Sequence, residues 1–205
     1  MAIISNATTI ADAGAFSVSL GSMVHIKTLT ASSSSTLSFV HGASSVVLDS
    51  TYPIYKFEFI NCHPASNNVQ FQFNMSVDSG SNYNVNKTTT FFQAELSEAN
   101  GGAQINYDGD DDLAQSADFQ PIADAVGNDN DASTNGILTI FNPSSTTFVK
   151  HFIAQGNGMY NSSYSIPSYS SGYGNTTSAV NAIRFQFASG DIDAGQIKLY
   201  GIKDS

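Results

Sequence analysis

The chain has little charge. Asp, Glu, Lys and Arg make up 12% of its 205 residues, and Lys and Arg together number only 7. A typical globular chain carries roughly twice that charged share. So few cations argue against amphipathic helices with ion-paired outer faces as the main building element. There is no basic stripe to displace counterions from a phosphate backbone, which excludes nucleic acid as the expected partner. The polybasic patches that hold proteins on anionic lipid are also missing. With 17 acidic residues the net charge is -10; such a surface repels phosphate and favours solubility.

Cysteine is nearly absent. Cys62 stands alone, which excludes an intrachain disulfide and a zinc-finger spacing. Its apolar surroundings mark it as a buried structural thiol. No apolar run approaches the length of a membrane span, so no membrane insertion is expected. The start, MAIISNATTIADAGAF, lacks a positive n-region and a long apolar stretch. The expectation is a protein made in a cytoplasm and used without secretory export.

Catalytic spacings are missing too. His25, His41, His63 and His151 fall in no His-x-x-x-His or His-Glu-x-x-His pattern. There is no Gly-x-Ser-x-Gly elbow and no Gly-Lys-Thr phosphate loop. Glu58, Glu95 and Glu98 are the only glutamates, and no pair of them is placed by sequence across a cleft. The chain therefore reads as a non-enzyme with no catalytic residue to nominate.

What is present is alternation. Val69, Phe71, Phe73, Met75 and Val77 alternate with Gln70, Gln72, Asn74 and Ser76. Period two with one apolar side is a half-buried strand. Asp78-Ser79-Gly80-Ser81 then reads as a turn. Tyr55, Phe57 and Phe59 alternate with Lys56 and Glu58, and the link from Asn61 to Asn68 predicts a hairpin with a long loop. Ile137–Phe141 and Phe148–Ile153, joined by Asn142-Pro143-Ser144-Ser145, predict a second hairpin. Their shared outline hints at two related sheets.

Ile183, Phe185 and Phe187 mark one late strand, and Ile197 and Leu199 another. Val24–Leu29, Thr36–Val40, Val46–Leu48 and Thr88–Leu96 are further candidates. Only 117–126 reads as a short helical turn, within an acidic excursion spanning 98–135. The predicted fold is all-β: an antiparallel β-sandwich, jelly-roll-like, of about eight to ten strands. Residues 1–22 form an N-terminal arm or edge segment, and 23–205 a single sandwich domain.

Two stretches invite binding. Asp108-Gly109-Asp110-Asp111-Asp112 offers carboxylates from Asp108, Asp110, Asp111 and Asp112. Calcium takes six to eight oxygen ligands, so such a loop suits it, although the order is not that of an EF-hand. A solvated acidic turn fits the same residues, and no other cofactor is implied. Asn128-Asp129-Asn130-Asp131 is a second oxygen-rich stretch. From Tyr160 to Tyr173 the chain is rich in Tyr, Ser, Gly and Asn, with Tyr160, Tyr164, Tyr169 and Tyr173 as candidate contacts to a partner or glycan. Tyrosine offers area at low entropic cost and can stack on sugar rings. A loop buried at a subunit interface has the same composition.

The later motifs carry a resemblance. Gly136-Ile137-Leu138-Thr139-Ile140-Phe141-Asn142-Pro143-Ser144-Ser145, then Phe148-Val149-Lys150-His151, resembles a recurrent pattern in virion structural proteins of marine tailed bacteriophages. So do Tyr52-Pro53-Ile54-Tyr55-Lys56-Phe57-Glu58-Phe59 and the ending from Ala182 to Ile202. The resemblance spans about 23–203. It implies a β-rich structural component on the virion exterior, of the tail-fibre or capsid-decoration type. Its partners would be other virion proteins and itself, as a homo-oligomer, most simply a homotrimer. The chain departs from a long fibre in having no repetitive or heptad shaft, which favours a compact docked unit. The alternative is a receptor- or glycan-binding module of a tail fibre, with Tyr160–Tyr173 as the loop that meets a host surface glycan.

Overall fold

The computed structural model describes residues 3–5, 8–12, 15–16, 22–160 and 163–204. Among them there are sixteen strands and no helix. They are β1 (Ile3–Ser5), β2 (Thr8–Asp12), β3 (Ala15–Phe16), β4 (Met23–Thr30), β5 (Leu37–Val40), β6 (Ile54–Pro64), β7 (Val69–Ser76) and β8 (Lys87–Ser97). There follow β9 (Gln104–Tyr107), β10 (Ala114–Ser116), β11 (Gln120–Val126), β12 (Thr134–Phe141), β13 (Lys150–Tyr160), β14 (Tyr164–Gly174), β15 (Ala182–Phe187) and β16 (Ile192–Ile202).

The fold is an antiparallel β-sandwich, not closed into a barrel. A nine-stranded sheet runs β10-β8-β14-β13-β12-β6-β16-β4, with β9 also on the β8 edge. A four-stranded sheet, β11-β7-β15-β5, faces its inner side. Within the segment read as an arm, β1, β2 and β3 form a small sheet of their own. There are more strands than the eight to ten expected, because short edge strands such as β9 and β10 carry too few residues to show a period.

Phenylalanine alternation builds the interface. Phe57 and Phe59 of β6 point in from the large sheet, and Phe71 and Phe73 of β7 and Phe185 and Phe187 of β15 point in from the small one; all six are at most 2% exposed. Phe59 meets Phe71 at 5.2 Å, and Phe57 meets Phe185 at 5.3 Å. These tilted and edge-on pairs add specificity to plain burial.

One expected hairpin is corrected. Strands β6 and β7 do not pair: β6 lies between β12 and β16, whereas β7 lies between β11 and β15. The 61–68 link instead carries the chain from one sheet to the other. Asn61 and Asn68 take left-handed conformations there, which Asn tolerates better than most residues. An alternating strand buries its apolar side equally well beside a neighbour or opposite one, so periodicity alone did not separate the two cases. The second hairpin, β12–β13, does pair, with Ile140 opposite Phe152. The proposed likeness between the two units therefore fails.

Other corrections are local. Residues 117–126 hold no helical turn; they end in β11, a buried strand of the small sheet. Val46–Leu48 is not a strand, although Val46 and Leu48 are buried. The 98–135 excursion returns to both sheets, through β9 and β10 on one edge and β11 on another. Gly156 permits this last contact, since a Cβ there would sit 2.6 Å from the Ile122 carbonyl oxygen of β11.

Cys62 is fully buried and its thiol is pushed up to about 12 by desolvation. Only thiolate alkylates readily. Native protein at pH 8 is thus expected to resist iodoacetamide, with at least about a 100-fold faster rate in denaturant; equal rates would contradict this burial.

Candidate functional site

The tyrosine-rich segment is not a loop. It supplies the last residue of β13 and nearly all of β14, with Tyr160 opposite Tyr164 and Tyr169 opposite Gln155 of β13. Strand alternation divides the four tyrosines. Even-numbered positions such as Phe152, Ile166 and Ser168 point inward and are buried. Tyr160 and Tyr164 therefore share the inner side at the hairpin's end, with ring centroids 5.9 Å apart. Tyr169 and Tyr173 lie on the outer face of the large sheet. They do not form one binding surface.

On that outer face, β-register aligns a row across neighbouring strands: Tyr107, Phe92, Tyr169, Gln155, Ile137. Phe92 and Tyr169 stack at 5.1 Å and 10°. The Gln155 amide donates to the Tyr169 hydroxyl at 3.2 Å. Ile153 and Ile105 are exposed nearby, at 55% and 79%. The described residues of this face are exposed or partly exposed and mixed in polarity. Sequence reasoning found Tyr169 and Tyr173 but not Phe92, Tyr107 or Ile105, because only the pairing of β8, β9 and β14 aligns them.

The acidic stretch also divides. Asp108, Asp111 and Asp124 come together, one oxygen of each lying within 4.8 Å of the others. Asp110 is exposed outside this group, its backbone N–H donating to Asp108 Oδ1. Asp112 accepts from the Tyr107 hydroxyl. Asp124 was not nominated from sequence, since it lies on β11 within the stretch that read as a helical turn. The 128–131 stretch stays apart: Asn128 donates to Asn67 and to the Ala65 carbonyl.

Several elements hold the acidic group. The Asp108 N–H donates to the Phe91 carbonyl of β8 at 3.0 Å. The Gln120 amide donates to the Asp111 carbonyl oxygen at 3.0 Å, and the Thr89 hydroxyl donates back to Gln120 at 2.6 Å. Gln70 of β7 donates to Asp111 Oδ1. Burial, then the neighbouring Asp124 and Asp108 carboxylates, push Asp111 up to about 7. Burial likewise raises Asp124. Beside them opens a cleft of about 440 Å³, bordered by Gln70, Gln93, Glu95, Asp124 and Tyr160.

The histidines are dispersed. His63 Nδ1 lies 2.7 Å from the Ala132 carbonyl oxygen, and His41 Nδ1 accepts from the Leu48 N–H at 3.1 Å. No helix among the described residues is long and apolar enough to cross a membrane. Compared with known proteins, the chain matches no family model, no curated protein and no solved structure.

Proposed function

We propose that this chain is a non-enzymatic assembly component that docks through the outer face of its nine-stranded sheet. The setting we propose is the exterior of a tailed-phage virion, as a capsid-decoration or tail-associated protein in homotrimeric form. The setting and the trimer rest on the sequence resemblance alone. The docking surface rests on one observation: the cross-strand row Tyr107–Phe92–Tyr169–Gln155–Ile137 on an outer face. Aromatic side chains left on a flat, mixed surface are the usual anchors of protein–protein contacts. No basic stripe crosses that face, so nucleic acid is not a proposed partner.

A glycan-binding module would use the same tyrosines differently. A sugar stacks on a free ring face, but here Phe92 and Tyr169 stack on each other. That arrangement favours assembly over glycan recognition.

The paired change Phe92→Ser with Tyr169→Ser tests this. Both rings are exposed at 44% and 36%, so the fold should tolerate their loss. Analytical ultracentrifugation is expected to show a wild-type oligomer and at least about a 100-fold weaker association in the variant. A wild-type chain that stays monomeric and does not bind virion proteins would overturn the reading. Labelled protein imaged on particles would then distinguish capsid from tail.

A further inference from the structure

The acidic group has a feature that a solvated turn does not explain. Among the described residues, the buried side-chain polar atoms without a hydrogen-bond partner are Gln93 Oε1, Asp111 Oδ2, Ser168 Oγ and Ser170 Oγ. Gln93 and Asp111 are only 6% and 5% exposed. Ser168 pairs opposite Gln93 across β14 and β8, so these two residues lie side by side under the large sheet. The Gln93 amide donates to Glu95 Oε1 at 3.3 Å, and the same side chain lies close enough to Asp124 to act on its carboxylate. Buried acceptors without donors are costly and rare, and several together mark a missing partner.

The missing partner is positive. The charges that act on Asp111 are other carboxylates: Asp124, Asp108 and Asp110. Three ionised carboxylates this close cannot persist without either protons or a cation. Every donor is a hard oxygen, which suits calcium or magnesium and not zinc or copper. One oxygen of each carboxylate lies within 4.8 Å of the others, close enough for a single ion to reach all three. Calcium accepts an irregular set of protein oxygens, whereas magnesium demands near-ideal octahedral geometry and keeps several of its waters. The adjoining cleft can supply water to complete six to eight ligands.

We propose that Asp108, Asp111 and Asp124, with the Gln93 amide oxygen, form a calcium site that pins the 108–112 loop and β11 against β8. The ion would tie the edge of the small sheet to the edge of the large one. Calcium would therefore act as a structural clamp, independent of what the outer face docks on.

The test uses the full chain stripped with EDTA and then titrated with calcium chloride or magnesium chloride at pH 7, read by thermal unfolding. Calcium at about 100 times Kd is expected to raise Tm by roughly 5–10 °C. The double change Asp111→Asn with Asp124→Asn is expected to fold, since it removes buried repulsion, and to lose the calcium response. Terbium emission sensitised by Tyr160 and displaced by calcium gives a second readout that does not depend on stability. No calcium-dependent shift and no terbium signal in the wild type would overturn the site. So would a calcium response that survives unchanged in the double variant, or one matched by equal magnesium.

Discussion

Phe185→Ala is expected to cost about 4 kcal/mol of unfolding free energy, a large part of the roughly 5–15 kcal/mol that keeps a typical domain folded. Phe185 lies on β15 in the middle of the small sheet and is fully buried. Its ring sits 5.3 Å from Phe57, 6.0 Å from Phe71, 6.3 Å from Phe39 and 6.5 Å from Phe73. Phe57 comes from the opposite sheet, so truncation opens a cavity where the two layers meet. Neighbours held by two sheets cannot collapse into it, which places the loss toward the upper part of the usual range. Phe148→Ala is the control, since that ring is 68% exposed and its loss should fall within about 0.5 kcal/mol of wild type. Urea unfolding of both variants decides the matter: equal costs would mean that Phe185 is not the keystone of the sandwich.

Stability should also rise steeply with pH from about 7 to about 9, through one lysine whose own contribution runs on to 10.5. Lys87 opens β8 and is fully buried. Its Nζ donates to Asn74 Oδ1 at 2.7 Å and to the Val85 carbonyl at 2.8 Å. Asn74 is itself buried and donates to the Tyr83 and Ala117 carbonyls. Desolvation pulls Lys87 from 10.5 down to about 7, against a weaker opposing pull from Asp118. Above pH 7 the folded chain therefore sheds a proton that the unfolded chain keeps until 10.5. More protons on the unfolded state means stability gained as pH rises. Across that window the lysine's own contribution is roughly 4–5 kcal/mol at about 1.4 kcal/mol per pH unit.

Cys62 and Tyr55, both pushed up to about 12 by burial, act in the opposite sense toward the alkaline end. The comparison with Lys87→Met isolates the lysine. The variant should lose the rising component and match or exceed wild type at pH 7, because it no longer buries a charge. Parallel curves for the two proteins from pH 7 to 10 would refute this account of Lys87.

The strands with several alternating residues were legible because burial on one side of a pleat leaves a period of two in the sequence. Thus β6, β7, β8 and β12 fall where Tyr55, Phe71, Phe91 and Leu138 placed them, each fully buried. Lys87 was not legible as a core residue, nor was Lys150, whose Nζ donates to the Phe148 and Thr176 carbonyls. A lysine opening a strand normally points to water, and only its neighbours reveal otherwise.

The acidic site shows the same boundary. Asp108 and Asp111 stood out as close carboxylates in the chain, but Asp124 and Gln93 reached them only through the meeting of two sheet edges. The outer row is similar: Tyr169 was visible, while its partners Phe92 and Tyr107 were set by register. By itself the sequence determined an all-β chain with one apolar side to each main strand, few cations and no catalytic spacing. Apart from the β12–β13 hairpin, which its Asn142-Pro143-Ser144-Ser145 turn specified, only tertiary structure decided which strands became neighbours and which became opposite layers. The physical reason is that alternation specifies which side of a strand is buried and carries no information about what buries it.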